Sequence, residues 1–220
     1  MKTNEELQKN VQDAIKWEPL LSAAEIGVTV DDGVVTLAGT VDIYSKKTEA
    51  EDAAKNVAGV KAVVEKIEVK YGSTWAKKDD NEIATEILHA LKWNWRVPKD
   101  KIKVKVEKGF VTLGGELEWN YQKEAAEDAV RNLLGVTGVS NNITIRAEAQ
   151  DLIEKKNIES ALGRNWWSMN NSDIMVKVSG NEVTLTGTVK SWYQKGEAAR
   201  IAWNAPGVRT VDNELVVAYR

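Results

Sequence analysis

Val35-Thr36-Leu37-Ala38-Gly39-Thr40-Val41 alternates around a glycine, and the pattern occurs three times in the chain. A shift of 76 residues superposes it on Val111-Thr112-Leu113-Gly114-Gly115-Glu116-Leu117, and a further 72 on Val183-Thr184-Leu185-Thr186-Gly187-Thr188-Val189. In each copy a Gly-Val pair lies 20 residues beyond the anchor glycine, at Gly59-Val60, Gly135-Val136 and Gly207-Val208. Between these anchors Lys47, Lys123 and Lys195 share one position, Ala50, Ala126 and Ala198 another, and Asn56, Asn132 and Asn204 a third. A spacing kept three times marks copies of one unit of about 70 residues. Length alone suggests one or two domains. The repeat instead divides the chain into 1–72, 73–147 and 148–220. Units so small bury limited surface, so neighbouring copies are expected to support one another.

Periodicity gives each unit the same element order. Leu7, Val11 and Ile15 form a helical stripe behind the capping-box pair Thr3 and Glu6. Ile83, Ile87 and Leu91 repeat it behind Asp79 and Glu82, and Ile158 and Leu162 repeat it in the third copy. Strict alternation follows, at Ile26, Val28, Val30, then Ile102, Val104, Val106, then Ile174, Val176, Val178, as in a half-buried strand. Asp32-Gly33, Lys108-Gly109 and Gly180-Asn181 are two-residue hairpin turns leading into the Val-Thr-Leu strand. A second helix is expected over 49–57 and 124–134, with Gly59, Gly135 and Gly207 closing it as left-handed caps. Val63, Ile67, Val69 and Val139, Ile143, Ile145 make a last strand.

The order α-β-β-α-β requires the last strand to run parallel to the second, because the helix between them returns over the sheet. The fold class is α+β: three tandem αββαβ units, each a small three-stranded mixed sheet with two helices on one face. Gly39, Gly115 and Gly187 are structural, placed at the end of the second strand where a missing Cβ permits a bend or a close backbone approach.

Composition excludes several classes of function. There is no cysteine, so no disulfide framework, thiolate metal site or cysteine nucleophile exists. His89 is the one histidine, too few for a His-ligated metal, and the carboxylate pair Glu51-Asp52 recurs at Glu127-Asp128 but becomes Ala199-Arg200 in the third copy, as on a solvated helix face. Gly135-Val136-Thr137-Gly138 lacks the Gly-Lys-Ser/Thr of a phosphate loop. A net charge of -3 supplies no global field for nucleic acid. The reading is a non-enzymatic protein with no cofactor and no metal. No apolar run is long enough to cross a membrane, and the charged opening Met1–Glu6 is unlike a signal peptide. A soluble cytoplasmic protein is therefore expected.

The Val-Thr-Leu-x-Gly-x-Val strand, the Ala-bearing helix and the Gly-Val-x-x-Val exit resemble the BON domain, named for bacterial OsmY and nodulation proteins. The resemblance extends over nearly the whole chain in three copies. It implies an α/β unit with helices against a small sheet, phospholipid or membrane-surface binding, and a role in osmotic-stress protection and envelope integrity. It assigns no catalytic residue. Family members are commonly exported, which makes a periplasmic location the alternative to the cytoplasm.

The candidate contact residues are aromatic. Trp17 and Tyr44 in the first copy, Trp93, Trp95, Trp119 and Tyr121 in the second, and Trp166, Trp167, Trp192 and Tyr193 in the third fall in two loops that the topology brings to one pole of each unit. Lys47, Lys123 and Lys195 stand beside them. Indole and phenol rings favour apolar–water boundaries, and lysine can meet lipid phosphate. Packing between rings or between copies is the competing explanation. A second feature is confined to the second copy, where Lys101, Lys103 and Lys105 line one face of a strand, with Lys99 and Lys108 nearby. The first copy carries 13 acidic against 9 basic side chains and the second 11 against 12. Anionic phospholipid is thus the first partner expected, most of all at the second copy. The alternative is a protein-interaction scaffold whose exposed sheet edges or aromatic poles bind another protein or a second copy of the chain. Gly72-Ser73-Thr74 suggests that the first unit swings, while the short join after Arg146 should couple the second and third.

Overall fold

The computed structural model describes residues 3–21, 26–70, 78–146, 153, 155–164 and 173–218. Each repeat follows the expected path. The first contains α1 (Asn4–Trp17), β1 (Ile26–Asp31), β2 (Val34–Val41), α2 (Tyr44–Lys55) and β3 (Ala62–Val69). The second contains α3 (Asp80–Trp93), β4 (Ile102–Glu107), β5 (Phe110–Leu117), α4 (Asn120–Arg131) and β6 (Gly138–Ile145). The third contains α5 (Lys155–Arg164), β7 (Asp173–Ser179), β8 (Glu182–Val189), α6 (Trp192–Trp203), β9 (Thr210–Asn213) and β10 (Val216–Val217).

Both capping boxes form. The Thr3 hydroxyl accepts from Glu6 N–H while the Glu6 carboxylate accepts from Thr3 N–H, and Asp79 and Glu82 do the same. The stripes Leu7/Val11/Ile15 and Ile83/Ile87/Leu91 are buried. In the first repeat they meet Ala50, Ala53 and Ala54 of α2 and Val35, Leu37 and Ile67 of the strands in one core, so both helices lie on one face. The sheets are mixed, ordered β1-β2-β3 and β4-β5-β6, with β1 and β4 antiparallel and β3 parallel to the central strand. In the third sheet β9 and β10 both pair in parallel with β8, in one register: Asn213 lies opposite Leu185 and Val216 opposite Thr188.

The hairpins obey their turn residues. Asp32 and Gly33 both have positive φ (43° and 83°), as do Lys108 and Gly109 (52° and 79°), the type I′ pattern. In the third turn Gly180 is at +59° and Asn181 is not in the positive region, the type II′ pattern with glycine first.

The glycine anchors differ from expectation in place. Gly39, Gly115 and Gly187 lie inside the central strand, two residues before its end, opposite Ile26, Ile102 and Ile174. Their need is steric. Gly115 has φ +135°, and a Cβ there would sit 2.2 Å from the Lys101 carbonyl oxygen. The second helices also start and end earlier than alanine content suggests, at Tyr44–Lys55 and Asn120–Arg131. Gly59 therefore stands beyond the C-cap Asn56 and not at the first residue past the helix. Its counterpart Gly135 is required for packing, since a Cβ there would meet Ile83 of α3 at 2.6 Å.

The chain divides into two compact units, one of Lys2–Leu117 with Tyr121–Thr144, which takes in most of the first two repeats, and one of Ile145–Arg220 with Glu118–Asn120. This corrects the expectation of a swinging first unit coupled loosely to the second. The join between the first two repeats includes Tyr44, whose half-buried phenol is hydrogen-bonded to the Val139 backbone. Burial, with the Glu127 and Glu51 charges adding to it, raises the Tyr44 pKa above the ordinary 10.0. The Arg131 charge likewise acts on Asp52, whose carboxyl burial raises.

Two outcomes follow from this packing. Gly115→Ala should cost about 3 kcal/mol or more, from forced left-handed backbone plus overlap with Lys101. Gly114→Ala next door, where a Cβ meets nothing within 4 Å, should be near neutral, and urea unfolding of the two variants compares them directly. In alkali the unfolded chain releases the Tyr44 proton first, because the folded pKa is the higher one. Stability therefore falls as pH rises from 10.0 toward that folded value. Tyr44→Phe should unfold with a shallower alkaline loss than the parent, and equal slopes would show that the phenol is not held as described.

Candidate functional site

The pole carrying the aromatics is built from the ends of helices. Trp17 and Trp93 are the last residues of α1 and α3, and each stands two positions past the last core residue, Ile15 or Leu91. Two residues turn a helix by about 200°, so the indole faces away from the core. Trp17 and Trp93 are each 86% exposed, and Trp95 in the following loop is 89% exposed.

That exposure is held in place by its neighbours. Between Trp93 and Trp95, the Asn94 side-chain amide donates to the Ala125 carbonyl of α4 at 3.2 Å, and its oxygen accepts from Arg96 N–H at 3.1 Å. Val97 is buried and donates its N–H to Asn94 O at 3.0 Å. The rings thus project from a loop tied on both sides to the core. In the first repeat Leu21 takes the place of Val97, bonding to Glu18 O at 3.0 Å, and leaves Leu20 exposed beside Trp17.

Charge separates the two loops. Around Trp93 and Trp95 the side chains of Lys92, Arg96, Lys99 and Lys101 are exposed, with Asp100 the acid among them. Lys92 and Arg96 were not among the expected contact residues, although Lys-Trp-Asn-Trp-Arg carries the signal in its order. Lys103 and Lys105 continue the cationic side along β4, and both are exposed as the alternation required.

Other expected contact residues have different positions. The second set of aromatics lies in the first turn of a helix or just before it, not in a free loop. Trp119 is 39% exposed, and Tyr121 and Tyr193 are about half exposed. Trp192 is half-buried, and its indole Nε1 has no hydrogen-bond partner. Tyr44 belongs to the join between the first two repeats. Trp166 and Trp167 lie outside the described residues.

The recurring lysines are also committed inward. Lys47 Nζ donates to the Ile67 carbonyl at 3.0 Å and pairs with Glu65 at 2.8 Å. Lys195 Nζ donates to the Leu215 carbonyl at 2.7 Å and lies 5.5 Å from the Trp192 ring centre. These two brace the second helix against the last strand and are not presented to a lipid phosphate. Lys123 is half-buried, and its carbonyl accepts from Asn141, as that of Lys195 accepts from Asn213. Glu65, Asn141 and Asn213, each six residues past the second glycine anchor, form the other half of the brace.

Among the described residues no cluster of three or more His, Asp or Glu could hold a metal, and no helix is long and apolar enough to cross a membrane. What remains on the surface is a rim of fixed indoles edged by cations. Such a rim can enter the boundary between water and an apolar phase while its charges stay at anionic head groups.

Comparison with known proteins gives the wider setting. Osmotically-inducible protein Y of Escherichia coli strain K12 is 32% identical over 126 residues, spanning 56% of this chain and 63% of that protein. Two solved chains of CdsD, a structural protein of the type III secretion system of Chlamydia trachomatis, align at 19% and 18% identity. They cover 96% and 99% of this chain and 91% and 100% of their own, each with a TM-score of 0.25, too low to carry an argument. The BON domain family matches residues 3–71, 79–147 and 151–219, the same three stretches that fold as αββαβ repeats, and the chain belongs to that family.

Proposed function

We propose that this protein attaches to phospholipid surfaces, without catalysis, as part of a response to osmotic stress at the cell envelope. The observation that carries the reading is the pair Trp93 and Trp95, almost wholly exposed on a loop anchored by Asn94 and Val97 and flanked by Lys92, Arg96, Lys99 and Lys101. Leaving two large rings in water has a cost. Each indole withdrawn from water recovers on the order of several kcal/mol. Each cation beside an anionic surface adds roughly 1 kcal/mol. Trp17 and Leu20 offer a smaller apolar rim with less positive surroundings, which makes the second repeat the principal contact. The stress role is supported by the likeness to an osmotically inducible protein.

Co-sedimentation with phosphatidylcholine vesicles, with and without phosphatidylglycerol, tests this. The protein should bind the anionic vesicles more tightly and lose that preference in high salt. Trp93→Ala/Trp95→Ala should weaken binding to both vesicle types. Lys92→Gln/Arg96→Gln/Lys99→Gln should remove the anionic preference, a drop of about a hundredfold for three lost charges. Absence of sedimentation with either vesicle would sink the proposal.

A further inference from the structure

The second and third sheets are bordered by strands of opposite charge. β4 has β5 as its sheet neighbour, and its outer face carries the exposed Lys101, Lys103 and Lys105. The border of the third sheet is formed by β9 and β10, with the exposed Asp212 in β9 and the exposed Glu214 in the short link between the two strands. Alternate residues of a strand stand about 6.6–6.8 Å apart. The link keeps the same register to β8 on both sides, with Glu214 N–H donating to the Leu185 carbonyl, so the carboxylates at 212 and 214 are spaced like the ammonium groups at 103 and 105, whichever way two such strands run.

The inner faces match as well. In the first sheet Ile26 and Val28 are buried, and so is Val176 in the third. Their counterparts in β4, Ile102 and Val104, remain partly exposed. The core of the second repeat is thus left open along β4, where one more strand would cover it. On the acidic border Val211 and Val217 are likewise partly exposed on the side facing the helices.

We propose that the β4 edge of one molecule pairs with the β9–β10 edge of a second copy, setting Lys103 and Lys105 against Asp212 and Glu214. Like charges oppose pairing of β4 with β4 or of β9 with β9, which makes the contact directional. The borders of the first sheet offer no such run, since β1 presents Thr29 and Asp31, and β3 presents Val64, Lys66 and Glu68. Lys105 is 3.0 Å from Glu107, but that exposed pair is worth little and yields readily to a strand-to-strand contact. Because each partner uses a different edge, association runs head to tail. It shares the cationic side of β4 with the lipid reading, but that reading rests on the Trp93 loop and is tested by vesicle binding, whereas this one is tested by self-association.

Light scattering coupled to size exclusion, at low and high salt, tests the pairing on the whole chain. The parent should form concentration-dependent dimers and larger species at low salt and revert to monomer as salt screens the edges. Lys103→Glu/Lys105→Glu and Asp212→Lys/Glu214→Lys should each be monomeric alone, with circular dichroism unchanged. Mixed together they should associate again, because one brings an intact acidic edge and the other an intact basic one. If either reversal disturbs the fold, the corresponding alanine pair replaces it and should lose association alone. A parent that is monomeric at low salt at every concentration, or two variants that fail to associate when mixed, would overturn the proposal.

Discussion

A carbonyl oxygen occupies the space where a side chain would begin. The Lys101 oxygen stands so close to Gly115 that no Cβ fits, and the backbone there lies in a region open to glycine. The same position has φ +153° in the first repeat and +122° in the third. This crossing fixes how the first strand enters against the central one, and with it the end of the sheet at which one helix stops and the next begins. In each repeat the chain path brings the start of the second helix to that end of its own sheet, with Tyr44 there in the first, Tyr121 in the second and Trp192 in the third.

Much of this was legible in the sequence because it is local. The stripe Leu7/Val11/Ile15, the Thr3–Glu6 cap and the turn chemistry of Asp32-Gly33 against Gly180-Asn181 each depend on a few adjacent residues. The parallel third strand followed from connection rules alone. Less legible were features that depend on distant partners. Tyr44-Ser45-Lys46-Lys47 has little helical signal of its own, yet opens α2 because Lys47 is held by Ile67 and Glu65 across the repeat. The pairing of the first two repeats through Tyr44 and Val139 has no periodicity to announce it.

The site shows the same division. Aromatic content marked one pole, but content could not tell an outward indole from an inward one. The distinction comes from the angle to the core: Trp93 stands two residues past Leu91 and faces water, whereas Trp192 opens α6 beside Lys195 and is half covered. Lysine divides likewise. Lys47 and Lys195 complete carbonyls of the last strand, while Lys92, Lys99 and Lys103 remain at the surface. One scaffold thus ties its second helix to its last strand in every repeat and, in the second, adds a row of cations beside its exposed indoles.

Nine indole N–H protons give nine reporters in the unaltered chain. With vesicles carrying a spin label at the head group, paramagnetic broadening of these signals reads which rings approach lipid. Strong broadening of Trp93 and Trp95, with Trp192 and Trp203 spared, is the result this account predicts. Bound protein in which Trp93 and Trp95 stay sharp, or in which all nine broaden alike, would contradict it.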